Sequence, residues 1–122
     1  MLLKEFYSVV DSGRTETEFV TEIRINKDHD IYRGHFPGLP VTPGVILMQL
    51  FKEEAERQTN KKLQLEQANN VKFMAVVDPN TEAHFFLHSE IQQEKNIVKL
   101  KGIARHNGNI SLKINSVYRV VP

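Results

Sequence analysis

The sequence predicts an α+β domain in which one long helix lies against a strongly curved antiparallel sheet. Residues 44–59 lack proline and are rich in Leu, Met, Gln, Glu, Lys and Ala, which favours a helix roughly 24 Å long. Two strand-like segments precede this helix and four follow it. The chain has 122 residues, the length of one ordinary domain, so we expect a single domain over residues 1–122.

The segments before the helix combine strand formers with turn residues. Residues 7–10 are rich in β-formers and lead into a turn cluster at residues 11–13. Residues 18–25 alternate, with Ile23 and Ile25 on the apolar side, which predicts a half-buried strand.

Four further strands are predicted after the helix. A break at residues 69–70 is an alternative within the first of them. The four segments are residues 63–77, 82–91, 97–105 and 110–121. Asn107-Gly108-Asn109 lies between the last two and predicts a tight hairpin turn.

The predicted helix has two parts of different character. Thr42 is a suitable N-cap and Pro43 a suitable first helical residue. Residues 45–51 are apolar on nearly every side, so we expect protein all around them. Residues 52–62 are mostly charged or polar, so we expect them to emerge into water.

Composition excludes several classes of function. Sixteen basic and fifteen acidic residues give a net charge of +1 with no basic block, which argues against nucleic-acid binding. The chain has no cysteine, so disulfides and thiolate chemistry are excluded. No apolar run approaches a membrane span, and the first residues do not resemble a signal peptide. We therefore expect a cytoplasmic protein without membrane insertion.

The loop before the helix is the segment most indicative of chemistry. His35 is followed by three prolines and two glycines within residues 37–44, which constrains the backbone strongly. Free N–H groups at the helix start, near Gly44 and Val45, can stabilise a developing negative charge. A histidine beside such a helix start suits proton abstraction next to a carbonyl. On these residues alone, a purely structural histidine in a stiff turn explains the pattern equally well.

The string His35-Phe36-Pro37-Gly38-x-Pro40-Val41-x-Pro43-Gly44-Val45 resembles the signature of the β-hydroxyacyl-acyl-carrier-protein dehydratases of type II fatty-acid synthesis. A second stretch, residues 71–79, resembles the family's Lys-Phe-x-x-Pro-Val strand, although its proline is missing here. The two matches cover about residues 29–81. The resemblance implies the hot-dog fold, in which a curved antiparallel sheet wraps a long helix.

The resemblance also implies an activity, a site and partners. His35 would act on the C2 proton of a 3-hydroxyacyl thioester, and the Gly44 N–H would bind the thioester oxygen. The substrate would arrive on a phosphopantetheine arm, as an acyl carrier protein or CoA thioester, with no other cofactor and no metal. The site would be shared across a homodimer, or a larger oligomer of dimers. The implied substrate-binding residues are Phe36, Pro43, Gly44, Val45 and Phe73.

The acidic carrier protein implied by the resemblance would need a basic surface at the mouth of the acyl tunnel. Several basic residues are candidates for it: Arg33, Lys52, Arg57, Lys72 and Lys99.

The chain departs from the family at its helix carboxylate. Counting from His35, that carboxylate falls at position 49, where this chain has Gln49. An amide can hold a hydroxyl or a water but cannot serve as a general acid. Glu53 lies one helical turn later and is a second candidate catalytic residue. The structural alternative for Glu53 is a solvated carboxylate that pairs with Arg57.

Three functions therefore stay open. The first is a 3-hydroxyacyl-thioester dehydratase that uses His35, Gln49 and Glu53. The second is an acyl-thioester hydrolase on the same fold. The third is a catalytically impaired paralogue that binds acyl carriers and pairs with an active partner subunit. The acyl chain length and the pathway, whether fatty acid, lipid A or polyene, are not indicated by the sequence.

The remaining histidines carry weaker signals. His29 lies in a predicted turn. His84 and His88 fall on one side of a predicted strand with Phe86 between them, which indicates a surface or interface stripe. His106 precedes a turn, and we expect it to be exposed.

Overall fold

A computed structural model describes residues 5–29, 44–75, 77 and 84–122. Over these residues it contains one helix, α1 (Gly44–Thr59), and six strands that form a single antiparallel sheet. The strands are β1 (Tyr7–Arg14), β2 (Phe19–Ile25), β3 (Leu63–Phe73), β4 (His84–Glu94), β5 (Ile97–His106) and β6 (Asn109–Val120). Their order across the sheet is β1-β2-β4-β5-β6-β3. The predicted α+β architecture is confirmed.

Tight turns join the central strands. Asn107 and Gly108 form the two-residue loop between β5 and β6, and both have positive φ, 51° and 77°. This is the backbone that a two-residue hairpin of the type I′ class requires, and Asn-Gly adopts it readily. The hairpin predicted at this position is therefore confirmed.

Alternation along the strands places one face of the sheet in the core. In β2 the buried residues are Thr21, Ile23 and Ile25, and in β4 Phe85 and Leu87 are fully buried. The helix contributes Leu47, Leu50, Phe51 and Ala55 to the same core. Helix and sheet are thus two layers around one core.

Three predicted strand limits are wrong, one of them the end of β4, which lies at Glu94 rather than at residue 91. The first strand continues through residues 11–13, where we expected a turn. Its pairing with β2 shifts register between Val9 and Asp11. The third strand ends at Phe73 rather than at residue 77. The break considered at residues 69–70 is a local irregularity within β3, where Asn70 has a φ of 53° and the pairing with β6 shifts.

The helix has the predicted bounds, but its burial differs from the prediction. Val45, expected to be enclosed, is 70% exposed in the single chain. Glu53 and Glu54, expected to emerge into water, are 2% and 0% exposed. The prediction failed because it used polarity alone, whereas Glu53 accepts from Tyr7 of β1 and Glu54 accepts from Arg57 on α1 itself. In the described part of the chain, no helix is both long and apolar enough to cross a membrane.

A glycine in the sheet sets how closely the helix packs. A Cβ atom placed on Gly102 of β5 would lie 2.6 Å from Cε1 of Phe51 and 3.1 Å from Cγ2 of Ile114. The Phe51 ring therefore occupies the space that any other residue at position 102 would fill. Phe51 itself is fully buried.

We expect Gly102→Ala to lower the free energy of unfolding by about 1–3 kcal/mol, because overpacking at this point displaces either the ring or the helix. Gly13→Ala is the matched control, since nothing lies within 4 Å of its added methyl group. Urea unfolding of both variants measures the difference. Equal midpoints for the two variants would show that the contact between Phe51 and Gly102 does not limit the packing.

Candidate active site

The sequence-predicted site residues divide into two groups in the structure. Gly44, Val45, Gln49 and Glu53 lie along α1, and Phe73 ends β3. The remaining predicted site residues, His35, Phe36 and Pro43, lie outside the described residues, as does Arg33.

Gly44 and Phe73 are brought together although they are far apart in the sequence. A Cβ atom on Gly44 would lie 2.8 Å from Cε1 and Cζ of the Phe73 ring. The ring thus covers the first residue of α1, while 55% of Phe73 stays exposed. The absence of a side chain at position 44 is what lets the aromatic ring approach the helix start.

A groove of about 110 Å³ runs beside α1, between the helix and strands β3 and β6. Its walls are mainly apolar, with an amide and an ammonium group at the helix side. The lining residues are Val45, Met48, Gln49, Lys52, Leu65, Ile114 and Tyr118. Val45 and Gln49 were predicted from the sequence, and Lys52 was one of the basic residues considered for the tunnel mouth.

Gln49 is connected directly to Glu53, one turn along the helix. The Gln49 amide nitrogen Nε2 donates a hydrogen bond to Glu53 Oε2 at 3.1 Å. Gln49 is half-buried and faces the groove, whereas Glu53 is almost fully buried. The two residues form one polar unit in which the carboxylate lies behind the amide.

A tyrosine from β1 completes this unit. The Tyr7 hydroxyl donates to Glu53 Oε1 at 2.8 Å, and Arg57 Nη1 donates to the Tyr7 hydroxyl at 2.5 Å. Arg57 also lies over the Tyr7 ring, 5.4 Å from its centroid. The structural alternative for Glu53, a solvated carboxylate paired with Arg57, is wrong. Arg57 forms its ion pair with Glu54 Oε1 at 3.3 Å.

Burial affects both buried tyrosines of the described chain. It raises the pKa of Tyr7 well above the usual value, and the donated bond from Arg57 only partly opposes this. Burial likewise raises the pKa of Tyr118, which lines the groove. Both phenols therefore stay protonated at any physiological pH, so Tyr7 keeps the proton that it donates to Glu53.

Sequence reasoning missed Tyr7. Its partner Glu53 is 46 positions away, and a tyrosine at the start of a strand gives no periodic or motif signal. The one available signal was the pair of adjacent carboxylates in this helix turn, Glu53 and Glu54. Such a pair indicates that hydrogen-bond donors from elsewhere in the chain contact the turn.

The other histidines lie away from this site. His84 and His88 lie on one face of β4 with Phe86, as predicted. They contact Glu22 of β2 and Glu18, the residue before β2. His106, which we expected to be exposed, is 5% exposed and lies against the Phe85 ring. In the described ranges no three metal-ligating side chains converge.

A long helix laid across a curved antiparallel sheet, with an apolar groove beside the helix, is the hot-dog architecture, so the molecule is a hot-dog domain. Residues 11–112 match the model of the ApeI-like family, described as ApeI dehydratase. The chain therefore belongs to the ApeI-like dehydratase family.

Curated relatives agree with this placement. A 3-hydroxyacyl-[acyl-carrier-protein] dehydratase FabZ of Clostridium acetobutylicum is 25% identical over 99% of this chain and 88% of its own length. The FabZ of Rickettsia typhi is 32% identical over 72 residues, which cover 52% of this chain. That match spans only about half of the Rickettsia typhi protein, 48% of its length.

Solved structures share the fold at low sequence identity. The dehydratase heterocomplex ApeI:P from Xenorhabdus doucetiae has a TM-score of 0.72 and 16% identity, and the match covers 92% of this chain and 96% of that one. The HP0420 homologue from Helicobacter felis has a TM-score of 0.68 and 8% identity, over 98% of this chain and 80% of that one. These likenesses support the fold.

We expect Tyr7→Phe to leave the phenolate absorbance of the folded protein at about pH 11 unchanged, because Tyr7 is still protonated there. The same variant should lose one tyrosine's worth of phenolate absorbance in denaturant. Since the folded-state pKa of Tyr7 is raised, the stability that depends on its proton is complete below about pH 10 and declines as the pH rises further. Absorbance titration of folded and unfolded protein measures both effects, and a loss in the folded state would contradict the burial of Tyr7.

Proposed function

We propose that the chain dehydrates 3-hydroxyacyl thioesters to trans-2-enoyl thioesters, as a hydro-lyase of fatty-acid or related lipid synthesis. Membership of a dehydratase family supports the reaction class. The observation that carries the proposal is the Gln49 amide, held at the wall of an apolar groove by the buried Glu53. A groove with one oriented polar group suits an acyl chain that bears one hydroxyl.

His35 is the proposed base. It takes the C2 proton of the substrate, and the electron pair of that C–H bond moves toward the thioester carbonyl. The N–H group at Gly44 would stabilise the negative charge that develops on the thioester oxygen. The proposal for these two residues rests on the loop motif that precedes α1.

Gln49 is proposed to hold the 3-hydroxyl rather than to protonate it. An amide carries no proton that it can release near neutral pH, so the leaving oxygen must obtain its proton elsewhere. In this proposal the His35 imidazolium returns the proton taken from C2. The C3–O bond then breaks as the double bond between C2 and C3 forms, and water leaves. Glu53 supports Gln49 from behind.

The carrier is proposed to be an acyl carrier protein or CoA, with the acyl group on a phosphopantetheine arm. Lys52 lines the groove and forms a 3.6 Å ion pair with Glu56, and both side chains are half-buried. Its ammonium group would meet a phosphate or an acidic carrier that approaches this end of the groove. The homodimeric state and the cytoplasmic location stay predictions.

The reverse reaction provides the first test. Hydration of a carrier-linked trans-2-enoyl thioester should proceed with the wild type and fall about 10²–10⁴-fold with His35→Ala, because the general base is lost. Gln49→Ala should lower kcat as well, since the hydroxyl group is no longer held. Loss of enoyl absorbance measures the rate.

Three results would contradict the proposal in different ways. Full activity of His35→Ala would remove the proposed base. Release of free thiol without hydration would identify a thioesterase instead. Absence of both reactions from the wild type, under conditions where a known dehydratase works, would favour the second candidate function.

That second candidate is a subunit that needs a different, catalytically complete partner. One observation favours it: Gln49, at the position of the family's helix carboxylate, offers no acidic proton. A heterocomplex of dehydratase subunits exists among the structural neighbours.

We expect a chain of this second kind to gain hydration activity when Gln49→Glu and Glu53→Gln are combined. The pair is exchanged together because Gln49→Glu alone would place two carboxylates about 3.1 Å apart. Glu53→Gln alone is the control. A gain in the double variant from an inactive wild type would show that the missing acid is the defect, and no gain would contradict this explanation.

A further inference from the structure

We infer that Tyr7 and Arg57 are positioning residues that, through Glu53, fix which end of the Gln49 amide faces the groove. This inference rests on the proposed function and adds two residues from outside the loop motif. It also specifies the chemical character of the group that Gln49 presents, which is a hydrogen-bond acceptor.

The direction of each hydrogen bond follows from the groups involved. Arg57 can only donate, so the Tyr7 hydroxyl must accept from it. The hydroxyl carries one proton, and it uses that proton to donate a hydrogen bond to Glu53 Oε1 at 2.8 Å. The chain Arg57 to Tyr7 to Glu53 therefore runs in one direction, and it ends on a carboxylate.

The same reasoning fixes Gln49. The carboxyl oxygen Oε2 of Glu53 accepts a hydrogen bond, and the Gln49 amide presents its nitrogen to it. The amide nitrogen and oxygen point to opposite sides of the group. The nitrogen keeps a second N–H, but with the nitrogen held against Glu53 the oxygen is the acceptor that can meet a ligand in the groove that Gln49 lines.

An acceptor at this place suits the proposed chemistry. The amide oxygen would accept a hydrogen bond from the 3-hydroxyl, which leaves the lone pairs of that hydroxyl oxygen to receive the returning proton. A 3-oxoacyl thioester has no proton to donate there and should bind less well. The network thus adds selectivity for a hydroxyl over a carbonyl at C3.

Burial makes the arrangement rigid. Tyr7 and Glu53 are 6% and 2% exposed, so water does not compete freely for their hydrogen bonds. They also come from different elements, β1 and α1, so packing of the helix on the sheet is part of what holds Gln49. A free glutamine side chain would instead sample both orientations of its amide.

The kinetic test uses Tyr7→Phe, which removes the hydroxyl and keeps the ring. We expect kcat for enoyl-thioester hydration to fall about ten- to a hundredfold, with a smaller change in KM, because the reacting group is held less well. In a Gln49→Ala background the same change should cost nothing further, since Tyr7 acts through Gln49. Thr21→Val is the control, because it removes a different buried hydroxyl bond, between Thr21 and Ser12.

A second readout does not depend on activity. The side-chain amide of Gln49 can be identified in ¹H–¹⁵N spectra by its absence from Gln49→Ala. We expect slow hydrogen exchange of this amide in the wild type and in Thr21→Val, and faster exchange in Tyr7→Phe. Glu53→Gln is the alternative variant if Tyr7→Phe fails to fold, since it keeps the shape of the side chain and removes the obligate acceptor.

The outcomes separate the two proposals. Wild-type kcat in Tyr7→Phe, additive losses in the double variant, or an unchanged Gln49 amide would each overturn the positioning role. If the wild type has no activity toward thioesters, the proposed dehydration fails. The amide exchange then decides alone whether Tyr7 and Glu53 orient Gln49.

Discussion

Close contact between Phe51 of α1 and the bare backbone at Gly102 of β5 is the constraint on which the rest of the structure depends. It brings the helix down onto the sheet, because no side chain at position 102 holds it away. At that depth Glu53 and Glu54, which follow Phe51 by two and three positions, are buried rather than solvated. Gln49, about one turn before Glu53, is then left at the wall of the groove, half-buried and within reach of a ligand.

Burying the adjacent carboxylates of Glu53 and Glu54 costs free energy. Hydrogen bonds offset this cost better at Glu53 than at Glu54. Glu53 accepts from Tyr7 and Gln49, which are two well-placed donors. Glu54 accepts from Arg57, but its second oxygen, like Arg57 Nη2, is buried without a hydrogen-bond partner among the described residues. Ion pairs of this kind rarely add net stability, because desolvation costs as much as the attraction returns. Arg57 of this ion pair also donates to the Tyr7 hydroxyl, so the pair is connected to the carboxylate of Glu53 through Tyr7.

The elements that short-range patterns determine were predictable, and those set by distant contacts were not. Helix α1 was predicted with its bounds, because its composition and the prolines before it are local signals, and the Asn107-Gly108 hairpin was predicted for the same reason. Val45 and Gln49, which line the groove, are site residues expected from the loop motif and the spacing along the helix, and their roles stay predictions. The burial of Glu53 was not, because it depends on Tyr7, 46 positions earlier in the chain.

The dependence of α1 on Gly102 also sets an order for folding. Strands β4, β5 and β6 are neighbours in the sheet and consecutive in the chain. They form two successive hairpins, so they can pair through local contacts. The helix precedes all three in the chain and has to wait for β5 before Phe51 can be buried. During synthesis the apolar face of α1 is therefore not covered by the sheet until the second half of the protein has emerged. The contact between Phe51 and Gly102 sets the depth of the helix in the folded state. Until that contact forms, the apolar face of α1 can aggregate with other chains.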